Sequence, residues 1–299
     1  MNKFFSRAQI TKLEPEMAKL TQSLCDKFLR NPKKAPFNVT SAYSCFSTDM
    51  ISAYCFGEPM GFLEQDGWEP NFREPMSAFL NTSYFFRFFP WARGMVSAAP
   101  FLAPYMAGDI GILMRTTVFT DILASSLPEQ EKSIDRLAGE AFSLTGAGTE
   151  TTAWTLSVIT FHILSQPKIQ AKLAEELQGV DLKDVSWVKL ERLPYLSAVI
   201  AEGLRLSYGV SARTPRIAQQ EHLVYRGHIE GQGDIEYVLP KGTAIGMSSA
   251  ITHHNEDVFP NSDAFMPERW LGKDVAEKSI MEKSLLAFSK GSRQCVGLK

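Results

Sequence analysis

The 299-residue sequence has few cysteines, little excess charge and no long uninterrupted apolar run. Its four cysteines, Cys25, Cys45, Cys55 and Cys295, lack the spacing of a metal site, and their scarcity suits a reducing compartment. We expect the first three to be packed as buried thiols. The formal net charge of −2 gives no support for a nucleic-acid partner. No stretch predicts a membrane span, and the first residues lack a signal-peptide pattern.

The composition, 44% hydrophobic and 21% charged, is that of a globular protein with a large core. Helical spacing of apolar residues predicts helices over 7–30, from Thr40 or Ser41 to about Phe56, after Pro167 and over about 195–207. Three short strands are predicted between 217 and 250.

A glycine-punctuated loop, Phe288-Ser-Lys-Gly291-Ser-Arg293-Gln-Cys295-Val-Gly297, carries the strongest local pattern. Nearby positive charge and backbone N–H groups favour a thiolate, and glycine lets the backbone approach a bulky flat group. Haem takes both an axial thiolate and arginine contacts to its propionates. The alternative is that Cys295 is a small buried hydrophobic residue.

The longest helical pattern spans 134–165, and its middle, Gly146–Thr152, contains two glycines, an acid and three threonines. These are poor choices for a helix interior, so the segment predicts a groove for a ligand, often formed by a π-type bulge. The alternative is a kinked core helix with threonines that face solvent.

Two further patterns leave alternatives open. Glu202 and Arg205 are three residues apart on one predicted helix face, which is also the spacing of an ordinary surface ion pair. The aromatic-rich segment 58–105 predicts either a helix pair that packs its rings inward, or a mobile lid or membrane-touching surface over an apolar pocket.

Three of these motifs, together with a fourth at 265–270, resemble the cytochrome P450 family. The loop over 288–297 matches every fixed position of the family's haem-binding signature, and Gly146–Thr152 is similar to its oxygen-binding segment. Glu-x-x-Arg at 202–205 is followed by Phe-x-Pro-Glu-Arg-Trp at 265–270, in the family's order.

The resemblance implies roles for individual residues. Cys295 would be the axial ligand of haem b iron. Other cofactor contacts would come from Phe288, Gly291, Arg293, Gly297, Arg216 and Arg213. The catalytic group would be Gly148, Glu150 and Thr151. A buried structural triad would be formed by Glu202, Arg205 and Arg269.

The resemblance also implies a mainly α fold with a small β region and a monooxygenase activity. The enzyme would use O2, electrons from NADPH-cytochrome P450 reductase and a small lipophilic substrate. The amino-acid sequence of these motifs is similar to that of fungal secondary-metabolism members of the trichodiene oxygenase type. This similarity suggests that the substrate is a terpenoid or polyketide. A monomer is expected, and the full-length parent is expected at the cytosolic face of the endoplasmic reticulum membrane.

The sequence departs from the family pattern in length. We expect one incomplete domain over 1–299 that lacks the membrane anchor, the first helices and the helix after the cysteine loop. Much of another helix is expected to be missing between about 108 and 117. The alternative function is therefore an inactive remnant that binds haem weakly or not at all.

Overall fold

The fold is that of a computed structural model, which describes residues 5, 7–30, 36–73, 75–77, 122–181, 185–212 and 214–298. Three features expected from the sequence lie outside the described residues: the aromatic-rich segment from 78 onward, the region between 108 and 117, and Arg213.

The described chain is mainly helical, as the sequence predicted. The helices are α1 Arg7–Leu29, α2 Val39–Phe56, α3 Ile134–Ser165, α4 Pro167–Gln178, α5 Trp187–Leu190, α6 Pro194–Ser207, α7 Ser249–His253 and α8 Val275–Ser284. Short 3-10 turns occur at Glu129–Lys132, Pro267–Trp270, Gly291–Arg293 and Val296–Leu298. None of these helices is both long and apolar enough to cross a membrane.

The β region consists of two small antiparallel sheets. Strand β1 (Arg216–Ile217) pairs with β4 (Ala244–Ile245). Strands β2 (Leu223–Ile229) and β3 (Gly233–Leu239) form a hairpin in which Tyr225 lies opposite Tyr237.

The chain divides into two compact units. The first comprises residues 1–196 together with 294–299, and the second comprises residues 197–293. The single-domain organisation expected over 1–299 stays a prediction.

The ends of α2 are fixed by local chemistry. The side chain of Asn38 accepts a hydrogen bond from the Thr40 N–H at 2.9 Å, so the helix begins just before the predicted Thr40 or Ser41. Gly57 ends it with φ of 81°, and its N–H donates to the Ala53 carbonyl at 2.9 Å.

Small residues on α2 and α3 bring these two helices close together. The hydroxyls of Thr48 and Thr149 lie 3.1 Å apart and are fully buried. A Cβ added at Gly148 would lie 2.7 Å from Cγ1 of Ile51, so this glycine is required for the approach. The buried α3 positions recur at intervals of four residues: Thr145, Thr149, Ala153 and Ser157.

A loop that follows α2 is held by two buried charges. The Lys27 ammonium donates to three backbone carbonyls at 2.6–3.2 Å, those of Leu63, Gln65 and Gly67. Asp49 accepts from the N–H groups of Phe62 and Leu63 at 3.0 and 2.8 Å. Burial lowers the pKa of Lys27 and raises that of Asp49, so both ions depend on these hydrogen bonds.

The close approach of α2 and α3 gives a stability prediction. Gly148→Ala should lower the free energy of unfolding by about 1 kcal/mol, because overpacking against Ile51 costs more than the gain in helix propensity. Urea unfolding followed by circular dichroism measures the change.

Gly139→Ala in the same helix is the matched control. In the described part of the chain, no neighbouring atom lies within 4 Å of a Cβ added there, so this variant should be more stable by about 0.5–1 kcal/mol. Equal stabilisation by both substitutions would show that Ile51 does not crowd Gly148.

Candidate functional site

A buried ion cluster is formed by Glu202 and Arg205 of α6 and by Arg269. Arg205 donates from Nε and Nη2 to the two Glu202 carboxylate oxygens at 2.9 and 2.8 Å. Arg269 donates from Nε to Glu202 Oε1 at 2.9 Å. Glu202 and Arg205 are 0% exposed and Arg269 is 8% exposed, which excludes the surface ion pair that the spacing alone allowed.

The cluster is completed by hydrogen bonds to the neighbouring backbone. Glu202 also accepts from the Met266 N–H and from Trp270 Nε1, each at 2.9 Å. The guanidinium groups donate to carbonyls of the 253–264 loop: Arg205 to His253, Ser262 and Ala264, and Arg269 to Pro260, Asn261 and Ala264. Buried charges are tolerated when they are paired and hydrogen-bonded in this way.

These contacts determine the ionisation of Glu202. Desolvation by itself would raise its pKa, but the hydrogen bonds and charges of Arg205, the Met266 N–H and Arg269 outweigh desolvation and hold the pKa below its ordinary value. The carboxylate is therefore ionised in the folded protein at neutral pH.

The cysteine loop presents an accessible thiol. Cys295 is free and exposed between two 3-10 turns, so it is not the small buried hydrophobic residue that the alternative reading required. Gly291 has φ of 78°, a conformation that favours glycine. A free, accessible thiol is the donor that thiolate ligation of haem iron needs, so Cys295 fits that cofactor.

The other three cysteines were all expected to be buried, but only two of them are. Cys45 and Cys55 are fully buried, and burial raises the pKa of their thiols to about 11 and about 12. Cys25 is exposed, so the prediction that it is packed was wrong. Its helical position on α1 lies outside the buried stripe that includes Leu20 and Leu24.

The middle of α3 contains no π-type bulge, because the helix is continuous from Ile134 to Ser165. Thr151 is exposed, and its hydroxyl donates to the Ala147 carbonyl at 2.7 Å without displacing the helical ladder. Glu150 is half-buried, and its Oε1 is buried with no hydrogen-bond partner among the residues that the structure describes. Desolvation raises the pKa of Glu150, while the charge of Arg73 opposes the shift.

The remaining predicted cofactor residues lie in exposed or half-exposed positions. Arg216, Arg293 and Gly297 are exposed, and Phe288 is half-buried. The Arg216 guanidinium donates to the carbonyl of Pro215 at 3.2 Å. Of the groups of site residues predicted from the sequence, the triad of Glu202, Arg205 and Arg269 is thus the one whose members the structure describes in direct contact with one another.

The structure places His253 at the end of α7 with no exposure. Its ring contacts the backbone at Arg205 and Leu286. No spacing signal identified it, because both contacts are distant in sequence. Over the described ranges, no group of three or more His, Cys, Asp or Glu side chains could hold a metal ion.

Comparison with known proteins gives consistent matches. Residues 113–299 match the family model described as Cytochrome P450. The cytochrome P450 monooxygenase ppzE of Metarhizium majus is 38% identical over 337 residues, with 100% of this chain and 70% of the relative covered. Because 337 exceeds the 299 residues of the chain, the matched stretch includes positions of the relative without a counterpart here.

Two other relatives have names that specify a reaction. The tryptophan 6-hydroxylase fscE of Fusarium equiseti is 34% identical, and the N-acetyltryptophan 6-hydroxylase ivoC of Emericella nidulans is 33% identical. Each match covers 100% of this chain and 62% of the relative. The chain spans about 60–70% of the length of the curated relatives it matches.

The buried ion cluster generates a prediction about stability. Glu202→Gln should lower the free energy of unfolding by about 3–5 kcal/mol, because it leaves two buried guanidinium groups without a counter-charge. Glu236→Gln is the control, since Glu236 and its partner Arg226 have side chains that are 53% and 74% exposed. That substitution should cost less than ~1 kcal/mol.

The effect of Glu202→Gln should depend on pH. A carboxyl group whose pKa is lower in the folded than in the unfolded protein contributes its full stabilisation to the folded state above the unfolded-state pKa, here 4.5. This stabilisation is lost as the pH falls through the lowered folded-state pKa. Urea unfolding from pH 7 downward should show the two proteins converging below pH 4.5. A constant difference across that range would contradict an ionised Glu202.

Proposed function

The chain belongs to the cytochrome P450 family, and from this premise we propose that it is the haem-binding part of a monooxygenase. The reaction would convert a substrate R–H, O2, NADPH and a proton into R–OH, water and NADP+. The observation that carries the proposal is the accessible thiol of Cys295 within a complete haem-binding signature.

The cofactor would be held by residues of the cysteine loop and of the strand region. Cys295 would ligate the iron of haem b, and Phe288 would lie beside the sulfur. Arginine side chains would pair with the propionates, with Arg216 first and then Arg213 and Arg293 as candidates. Gly291 and Gly297 would let the backbone approach the ring. Bound haem would supply O2 binding and O–O cleavage, which electron donation from the thiolate favours.

Residues of α3 would handle protons near the oxygen. The hydroxyl of Thr151 donates to the Ala147 carbonyl in the structure, and it would turn from that carbonyl to donate toward the oxygen. The raised pKa of Glu150 lets its carboxyl oxygen, which has no hydrogen-bond partner among the described residues, hold a proton more readily than an exposed glutamate would. The resemblance puts Gly148 at the border of the oxygen site, whereas the contact seen in the structure is with Ile51.

The substrate would be a small lipophilic compound of fungal secondary metabolism. Terpenoids and polyketides follow from the resemblance, and the names of two relatives add tryptophan and N-acetyltryptophan to the compounds worth testing. Because the reaction consumes two electrons from NADPH, NADPH-cytochrome P450 reductase is the proposed electron donor, and the cytosolic face of the endoplasmic reticulum is the proposed location. We propose that the enzyme acts as a monomer.

The ligand assignment is tested by the ferrous-CO difference spectrum of the chain expressed with a haem precursor. Wild type should give the strongly red-shifted Soret band of thiolate ligation, and Cys295→Ser should abolish it, because a serine hydroxyl is not ionised at neutral pH. Cys25→Ser, which changes another exposed free thiol, should leave the band unchanged.

Absence of the band in the wild-type chain would contradict the proposal. That result would favour the alternative, an inactive remnant with weak or no haem binding. A band that survives Cys295→Ser would instead overturn the choice of ligand.

The proton-handling role is tested in α3 with adjacent exposed threonines. Thr151→Val should lower the rate of product formation by about a hundredfold, the low end of what a positioned proton donor contributes. Thr152→Val should change that rate little, although it removes an exposed hydroxyl from the next position of the same helix. Product and NADPH consumption are measured together, with the reductase and a substrate that wild type converts.

Equal losses in the two threonine variants would contradict a specific role for Thr151. Unchanged NADPH consumption with lost product would place the defect in proton delivery, after electron transfer.

A further inference from the structure

Arg205 and His253 hold each other by a reciprocal pair of hydrogen bonds. Arg205 Nη1 donates to the His253 carbonyl at 2.9 Å, and His253 Nδ1 lies 2.7 Å from the Arg205 carbonyl. A carbonyl can only accept, so Nδ1 carries the proton. The end of α6 and the end of α7 are therefore joined at one buried point.

The other ring nitrogen of His253 is directed at a third segment. The Leu286 N–H donates to His253 Nε2 at 2.7 Å. Nε2 must be unprotonated to accept this bond, so both contacts together fix the neutral ring with its proton on Nδ1. No other arrangement of the proton satisfies the two backbone groups.

A second contact in the same unit holds the chain next to Leu286. Gly209 has φ of 62°, and a Cβ added there would lie 2.3 Å from the carbonyl oxygen of Ala287. The turn after α6 therefore lies directly against the carbonyl of Ala287, the residue that follows Leu286. Leu286 is in turn the start of the segment that leads along the chain to Cys295.

The surroundings of the His253 ring favour its neutral form. Burial lowers the pKa of His253 to about 4, and the charges of Arg205 and His254 act in the same direction. The hydrogen bond to the Arg205 carbonyl and, less strongly, the charge of Glu202 oppose this shift. The Tyr208 ring stacks on the imidazole, with centroids 6.3 Å apart. The acceptor at Nε2 is thus maintained at neutral pH.

We propose that His253 is a positioning residue that fixes the start of the cysteine-bearing segment by accepting the Leu286 N–H. The consequence for haem ligation rests on the proposed function, because Cys295 is the iron ligand proposed there. The buried ion cluster then has a second role, because Arg205 positions His253, and His253 in turn positions the segment that begins at Leu286.

Two amide substitutions separate the contacts of His253. In His253→Asn, the amide nitrogen takes the place of Nδ1 and can donate to the Arg205 carbonyl, but the side chain is too short to reach Leu286. In His253→Gln, the amide group extends to the position of Nε2 and can accept from the Leu286 N–H. The pair therefore compares loss of one contact with loss of the other.

Hydrogen exchange of the Leu286 amide in the chain without added haem is the first measurement. His253→Asn should reduce its protection by about tenfold relative to wild type, and His253→Gln should retain most of it. The Phe259 amide, which donates to the Asn255 carbonyl at 2.8 Å in the same unit, should be unchanged in both. Unchanged Leu286 protection in His253→Asn would overturn the proposal.

The ferrous-CO spectrum of the haem-loaded variants is the second measurement. His253→Asn should lower the fraction of haem with the thiolate-type band by about tenfold, and His253→Gln should restore most of it. Equal effects of both variants would indicate a general packing role and would overturn the proposal. If wild type itself shows no such band, the proposed function fails, while the exchange result still decides whether His253 holds Leu286.

Nitrogen NMR of the wild-type protein covers the case in which a variant does not fold. The proposal requires His253 to show a protonated Nδ1 and a bare Nε2 that stays bare as pH falls to about 5. A ring that is protonated on Nε2, or that titrates near 6.5, would overturn it.

Discussion

Burial of the Glu202 carboxylate between two guanidinium groups is the constraint on which the second unit depends. Taking three charges out of water is unfavourable unless each polar atom finds a partner. The chain meets this requirement with backbone groups from the 253–264 loop and from Met266, together with the Trp270 ring nitrogen. The cluster thereby fixes the path of a segment that contains little regular secondary structure.

The first unit is held by a different principle. Hydroxyls, a glycine and small apolar side chains let α2 and α3 approach closely, so dispersion contacts and a Thr48–Thr149 hydroxyl pair stabilise the crossing. On the other side of α2, Asp49 and the Lys27 ammonium hold a loop through its backbone. Along α3, the face that packs on α2 is therefore separate from the exposed face that bears Thr151.

The sequence was informative where a local rule dominates. Helical periodicity gave the bounds of α3 and α6 to within a residue, the mainly α fold was confirmed, and the motifs identified the family. The start of α2 was placed slightly late, because Asn38 rather than Thr40 or Ser41 supplies the cap. The predicted π-type bulge is absent from α3 because the Thr151 hydroxyl bonds to Ala147 without opening the ladder.

Long-range contacts were beyond what spacing can reveal. Glu-x-x-Arg has the same spacing in a surface pair and in a buried cluster, and only the later arginine at 269 and the family resemblance favoured burial. The role of His253 depends on backbone groups 48 and 33 positions away, and backbone groups carry no sequence signal. The roles of Cys295, Glu150 and the arginines proposed at the propionates remain predictions.

The guanidinium groups at 205 and 269 recognise the 253–264 loop by its carbonyl oxygens, which every amino acid possesses. The side chains of Pro260, Asn261 and Ala264 are exposed while their carbonyls are bound. The loop can therefore accumulate substitutions at these positions during evolution while its course through the protein is preserved. Asn261 is the exception, since its φ of 55° favours asparagine or glycine.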